Sequence, residues 1–330
     1  MSTTRSPRHG SLQFWPRVRA RRQYARIRNW HIPKGINDAK LLGFAGYKVG
    51  MSHIIATDNG QHSMTKNSDI FLPVTVVECP PLKTASIRFY KKNVNGLQLV
   101  SEILSEELDK ELSRAISLQK KKKENKAREV GYDEVRILVY TQPKLTGLGK
   151  KKPELFEVGI SGSKEQQLAY ANERLGKEVH VDDVFSEGRQ IDVHSVTKGK
   201  GFQGPVRRFG ISLRQHKSEK SVRNPGSLGA WNAQGHIMWR VAHAGKMGYH
   251  LRTEYNKLLL KIGKKPEEIN VKGGYIGYGL VKNSYILLKG SIPGISKRLI
   301  RMSYPRRADS RVPKEPPMIQ YTSLESKQGN

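Results

Sequence analysis

Cysteine is nearly absent: Cys79 is the one thiol in 330 residues. A disulfide framework and a thiolate metal site are therefore excluded within the chain, and Cys79, set in the apolar run VTVVECP, reads as packing. Long apolar runs are missing too. No uninterrupted stretch approaches the roughly 18 residues of a spanning helix, and the first residues lack the apolar core of a secretory signal. The Arg-rich, acid-poor start resembles an organelle transit peptide in composition, but Trp15-Pro16 and Ile32-Pro33 interrupt any amphipathic helix there. A cytoplasmic protein with no membrane partner is expected.

Acids are the third shortage. Against 59 Lys and Arg stand 29 Asp and Glu, a net charge of +30, and the mean hydropathy is −0.61. A chain so charged repels itself at neutral pH unless a polyanion neutralises it, and nucleic acid is the commonest polyanion able to do so. Catalytic signatures are equally thin. No Gly-Lys pair is followed by Ser or Thr, no histidine precedes a glutamate, and no GxSxG elbow occurs, so the usual NTPase, zinc-protease and hydrolase motifs are missing. Gly199, Gly201 and Gly204 match the GxGxxG spacing, yet Pro205 and VRRFGISLRQ follow without a helical apolar stripe. The glycines read instead as a turn that lets backbone approach phosphate. No enzyme, cofactor or metal is expected.

What is present falls into blocks. Residues 1–38 form a basic arm; to residue 40 there are ten Lys or Arg against one acid, Asp38, a net +9. Arg17, Arg19, Arg21, Arg22, Arg26 and Arg28 are interleaved with Phe14, Trp15, Tyr24 and Trp30, the mixture an RNA-binding arm uses, guanidinium for phosphate and ring for base. Residues 39–94 carry short β-branched runs, with a hairpin signal at Asp58-Asn59-Gly60, and read as the first part of a β-barrel. Residues 95–178 read as an inserted α+β region: a helix on Ile103, Leu104, Leu108, Leu112 and Ile116, strands EVRILVY and ELFEVGI, and a helix opened by Ser163 with Gln166 three residues on. Lys120–Lys123 reads as a solvated helix end. Strand patterning returns over 179–198, and 263–330 completes the barrel.

Between these lies a long loop, 199–262. Over 195–265 there are fifteen Lys or Arg and two acids, Glu219 and Glu254, a net +13. Its candidate RNA contacts are Lys198, Lys200, Phe202, Arg207 and Arg208 at the entry, then His216, Lys217, Lys220 and Arg223. On the return side they are Trp239, Arg240, His243, Lys246 and Arg252. Trp231 sits among small residues and has two readings, a satellite core under a loop or a wedge that stacks on bases. Arms this charged are expected to order only on their partner.

At VTKGKGFQGPVRRFG, HKSEKSVRNPGSLGAW and HIMWRVAHAGKMGYHLRT, supported by the basic arm and by GFAGYKVGM, the sequence resembles the family of ribosomal protein number three of the large subunit, in its archaeal form. The likeness runs over most of the chain. It implies a mainly β fold, a closed six-stranded barrel of the translation-factor type with an α+β insertion, and two extensions that penetrate ribosomal RNA. The long loop would reach toward the peptidyl-transferase centre with Trp231 at its tip. The implied partners are large-subunit rRNA, neighbouring large-subunit proteins and, indirectly, tRNA at that centre; the implied role is early subunit assembly and support of translation.

Overall fold

The computed structural model describes residues 11–33, 36, 38–118, 131–229 and 235–326. The described residues are mainly β. A long first strand, β1 (Gly43–Thr57), pairs along one edge with β2 (Asp69–Glu78). In the second sheet β3 (Leu82–Asn93) lies between β4 (Gly96–Leu104) and β5 (Glu134–Tyr140), and β6 (Leu155–Gly159) follows β5. Helix α1 (Lys164–Arg174) packs on β5 and β3, and β7 (Glu178–Val179) adds to β3. After the short α2 (Val181–Val184) come β8 (Gln190–Val196), β9 (Phe202–Gln203), α3 (Pro205–Phe209) and β10 (Gly245–Lys246). The chain ends with β11 (Leu251–Gly263), β12 (Tyr285–Lys289), β13 (Leu299–Ser303) and β14 (Ile319–Thr322).

Pairing runs β1, β2, β12, β11, β8, β13 and back to β1, a closed ring of six strands, with β14 added to the far half of β1. Closure removes the open edges that would otherwise template aggregation. It also requires β1 to bend, and Gly46 marks the close approach: a Cβ there would lie 2.6 Å from the Glu78 carbonyl oxygen. One apolar cluster runs from the ring, through Phe44, Tyr47, Ile54 and Val76, into the second sheet at Ile87, Val139 and Val158. Polar groups caught in it are paired. The Glu78 carboxylate is fully buried and accepts from the Lys282 and Asn283 backbone N–H groups (2.9 Å each), Asn283 Nδ2 (2.7 Å) and the Tyr278 hydroxyl. Four donors offset the desolvation of one carboxylate and fasten the 275–283 turn to the ring.

The chain divides into two compact units. One takes Met1–Gln23 with Val196–Arg252, the other Tyr24–Ser195 with Thr253–Asn330. The second contains the core just described.

Several expectations need correction. The helix expected on Ile103 to Ile116 is strand β4 followed by a 3-10 turn at Lys110–Arg114. Gly96, at φ +113, makes the turn that folds β4 back on β3 in the register Ile87↔Ile103, and cross-strand pairing overrides the helical spacing. β3, placed by its sequence in the first part of the barrel, is central to the second sheet. The β1–β2 hairpin closes through residues 58–68 rather than a tight turn, with Asp58 accepting from Gly60 N and from the Ser63 and Thr65 hydroxyls. The basic loop does not extend to residue 262, because β11 begins at Leu251 and lies between β8 and β12, with Leu259–Gly263 in register with β12. In 272–284 the repeated glycines form turns, not strand. Lys120–Lys123 lie outside the described residues. The capping box at Ser163 and Gln166 is present, and Cys79 is buried as packing.

The arm is corrected as well. Ala25 and Ile27 are buried and Tyr24 and Trp30 pack on the main core, while Arg26 and Arg28 between them are exposed. Arg301, itself buried, donates to the Ala25 and Glu157 carbonyls and lies over the Trp30 and Phe156 rings; burial pushes its pKa down to about 9. This stretch folds on its own protein because alternate side chains are apolar.

Candidate nucleic-acid interface

The unit of Met1–Gln23 and Val196–Arg252 has, across 11–23 and 196–252, fifteen Lys or Arg against a single acid, Glu219. Its frame is a two-stranded ribbon. Thr197 N donates to His250 O (2.9 Å), Lys200 N to Met247 O (2.9 Å) and Met247 N to Gly201 O (2.9 Å), and the ladder continues as the β9–β10 pair. Gly248 permits the closest approach: it sits at φ +77, and a Cβ would fall 2.0 Å from the Lys198 carbonyl oxygen. The arm joins this ribbon by a bond from Ala20 N to Tyr249 O (2.7 Å).

His250 locks that junction. The Val18 carbonyl can only accept, so Nδ1 carries the proton (2.7 Å), and Nε2 accepts from Gly248 N (3.1 Å). The imidazole is thus held neutral. Burial lowers its pKa; the Val18 bond opposes this, while the Arg252, Arg17 and Arg208 charges reinforce it.

An aromatic joint lies beside it. Gly204 opens the one-turn helix α3, Pro205 takes its first position and Gly210, left-handed, ends it. A helix of this length does follow the glycine motif, contrary to expectation, but it is too short to build a dinucleotide site. Its last residue, Phe209, is buried. Trp15 stacks on Phe209 (4.9 Å between centroids), Trp239 meets Trp15 edge-on (5.9 Å), and the Arg17 and Arg208 guanidinium carbons lie 4.2 and 5.0 Å from the Phe209 centroid. Arg208 donates to Lys246 O and His243 O (3.0 Å each) and to Arg17 O (3.4 Å), and Arg17 donates to Arg208 O. Trp15, Arg17 and Arg208 are therefore internal parts of this unit, which corrects the expectation that arm and loop order only on a partner. Apolar rings supply the packing that offsets ordering entropy, and carbonyls take the guanidinium donors.

The remaining candidates face outward. Arg19, Arg21, Arg22, Lys198, Lys200, Arg207 and Lys246 are exposed around the ribbon and helix, with Phe202 at 68% exposure beside them. Trp239 keeps 65% of its surface exposed despite its edge contact. Further along the loop, Arg214 N donates to Val222 O (3.0 Å), closing a turn that carries His216, Lys217 and Lys220 exposed, with Arg223 exposed just past it. Arg240 is exposed and His243 half-buried. Arg252 is half-buried, 4.6 Å from the Phe14 ring. Arg26 and Arg28 belong to the other unit, and Trp231 lies outside the described residues. Sequence reasoning missed His250 and Phe209. The aromatic at the end of PVRRFG, bounded by glycine, was the available signal for Phe209; His250 depends on a carbonyl 232 positions away and left none.

Exposed cations and two accessible rings, held on a frame with a single acid, can neutralise phosphates and stack on bases. Among the described residues, no group of His, Cys, Asp and Glu is arranged to hold a metal ion, and no helix is long and apolar enough to cross a membrane.

Comparison with known proteins accounts for the full length. The family model described as ribosomal protein L3 matches residues 1–134 and 129–329. The chain is 47% identical over 333 residues to large ribosomal subunit protein uL3 of Archaeoglobus fulgidus, and 46% identical over 334 residues to that of Methanobrevibacter smithii, covering 98% of each chain in both cases. Identity to the protein of the same name from Methanosphaera stadtmanae is 46% over 342 residues, covering 100% of both. With that match running from end to end, this chain belongs to the ribosomal protein L3 family.

Proposed function

We propose that the chain is a structural constituent of the large ribosomal subunit, without catalytic chemistry of its own, which binds large-subunit rRNA and neighbouring proteins in the cytoplasmic ribosome. The observation that carries this reading is charge segregation: seventeen Lys or Arg and one acid, Glu219, in the unit of Met1–Gln23 and Val196–Arg252, in a chain that matches the L3 family throughout. Lys198, Lys200, Arg207, Lys246, Lys217, Lys220, Arg223 and the exposed arm arginines contact phosphates; Phe202 and Trp239 stack on bases. Arg17, Arg208 and His250 hold the frame that presents them. The six-stranded ring serves as a translation-factor-like barrel that anchors both extensions. The loop carries Trp231 toward the peptidyl-transferase centre, where it influences tRNA placement, and the arm and loop act early in subunit assembly.

Binding of the full chain to deproteinised large-subunit rRNA, measured across a salt series, tests this. Affinity is expected to fall steeply as salt rises, and folded rRNA to outcompete duplex DNA. Equal affinity for both, or salt-independent binding, contradicts the reading.

A further inference from the structure

The unit with the large core has a basic edge of its own, made by two segments far apart in sequence. Residues 143–153 and 272–284 hold six lysines, Lys144, Lys150, Lys151, Lys152, Lys272 and Lys282, and no acid. They meet where Asn283 Nδ2 donates to Leu145 O (3.1 Å) and where a Cβ on Gly147 would lie 3.3 Å from Leu280 O. Buried bonds hold both in place. Glu78 accepts from Lys282 N and Asn283 N, while Glu154 accepts from Lys150 and from the Tyr47 hydroxyl (2.9 Å), and Tyr47 stands opposite Glu78 in the β1–β2 register.

The acids nearby are spent or marginal. Glu78 and Glu154 are buried, and Glu111 is divided between Lys144 (3.3 Å) and Arg114 (3.1 Å). Glu178 accepts from Gln142 (2.8 Å), Glu267 and Glu268 lie beyond Asn270 with Glu268 paired to Lys261 (2.7 Å), and Glu325 follows Leu324, whose carbonyl accepts from Lys272 N. Lys151, Lys152 and Lys282 remain, exposed, their ammonium groups without an ion pair or hydrogen bond among the described residues. The rings of this edge are turned in: Tyr275 and Tyr278 are buried, their hydroxyls donating to Ile269 O (2.8 Å) and to Glu78. What stays outside is ammonium, the backbone of Gly147, Gly149, Gly277 and Gly279, and the aliphatic Leu145, Ile276 and Leu280.

We propose that this edge is a second RNA site, which docks the sugar-phosphate backbone of paired rRNA rather than unstacked bases. Lys151, Lys152 and Lys282 each neutralise a phosphate, the bare glycines let a strand come close, and the aliphatic side chains rest on riboses of the wide, shallow minor groove. With no ring exposed, nothing here can stack on a splayed base, unlike Phe202 and Trp239 in the loop unit. The proposal rests on rRNA binding by this chain and gives the barrel-bearing unit a contact of its own, beyond anchoring the extensions.

The full chain carrying Lys151→Glu, Lys152→Glu and Lys282→Glu is compared with the parent for binding to deproteinised large-subunit rRNA across a salt series, with hydroxyl-radical footprinting of the riboses. The three side chains are exposed and bond nothing in the chain, so the fold is kept. At about 0.7–0.9 per phosphate, the salt slope is expected to fall by roughly two. Ribose protections on both strands of a paired region should disappear while the others persist. An unchanged slope, as an acidic protein partner of this edge would leave, overturns the proposal. So do protections lost only from unpaired nucleotides, or an equal fall with the charge-matched Lys91→Glu, Lys92→Glu and Lys314→Glu. A fall with Lys200→Glu and Arg207→Glu but not with the triple variant overturns it and leaves the proposed function standing; parent binding that ignores salt overturns both.

Discussion

At the scale of single residues, two histidines hold neutral positions in a strongly cationic protein. His194 bonds the Thr253 and Ser303 hydroxyls (2.9 and 3.0 Å), and burial, helped by the Arg301 charge, lowers its pKa to about 4. An unfolded histidine titrates near 6.5, so in the interval between the unfolded chain binds more protons than the folded one. The stabilisation from His194 is complete above pH 6.5 and drains away as pH falls toward 4, an effect on the order of 3 kcal/mol. His250 acts in the same direction, since its protonation breaks the Gly248 bond and adds charge beside Arg17, Arg208 and Arg252. Thermal melting followed from pH 7 to pH 4 should show the loss, and His194→Gln should flatten the slope; an unchanged slope rules out this account. At Gly248, Gly248→Ala should destabilise the ribbon by about 1–3 kcal/mol, from a left-handed φ and a clash with the Lys198 carbonyl. Hydrogen exchange at the Lys200 and Met247 amides would register it.

At the scale of elements, the arm and loop are held together by Phe209. Phe209→Ala removes the surface on which Trp15, Arg17 and Arg208 rest. Buried Phe to Ala changes cost about 3–5 kcal/mol, so the arm should detach locally. Limited trypsinolysis at Arg17 and Arg19 should accelerate at least tenfold while the main melting transition stays in place; unchanged cleavage would show that the joint is held otherwise. The contrast with β4 is instructive. Its leucines and isoleucines satisfy a helical spacing, and nothing local distinguishes the two states. The β3 partner, reached through the Gly96 turn, decides for strand. In the arm the reverse applies: the alternation of Ala25 and Ile27 with Arg26 and Arg28 was already a strand-like, half-buried pattern, hidden by the charge average over forty residues.

At the scale of the whole molecule, ion pairing and charge excess are kept apart. Arg88 meets Glu102 (3.1 Å) and Glu157 (2.5 Å), and Lys83 meets Asp109 (2.8 Å), all in the unit with the large core. The loop unit has Glu219 alone to set against its cations. Charge reversal at exposed loop positions, Lys200→Glu with Arg207→Glu, should therefore weaken rRNA binding and lower the salt slope by roughly one for each phosphate no longer neutralised. The same reversal at Lys83 and Arg88 should cost stability and leave the slope alone. Equal slopes for both pairs would mean the segregation has no bearing on binding.

Composition and motif order by themselves determined the family, the excess positive charge and its location, the β-rich body, and the Ser163 cap, because each depends on residues near one another in the chain. Tertiary structure decided which cations are exposed and which are spent on carbonyls, that β4 is a strand, where β11 begins and that six strands close into a ring. Those outcomes depend on partners tens to hundreds of positions distant, such as Val18 for His250 and Ala25 for Arg301, and burial set by such pairings leaves no periodic trace in a single sequence.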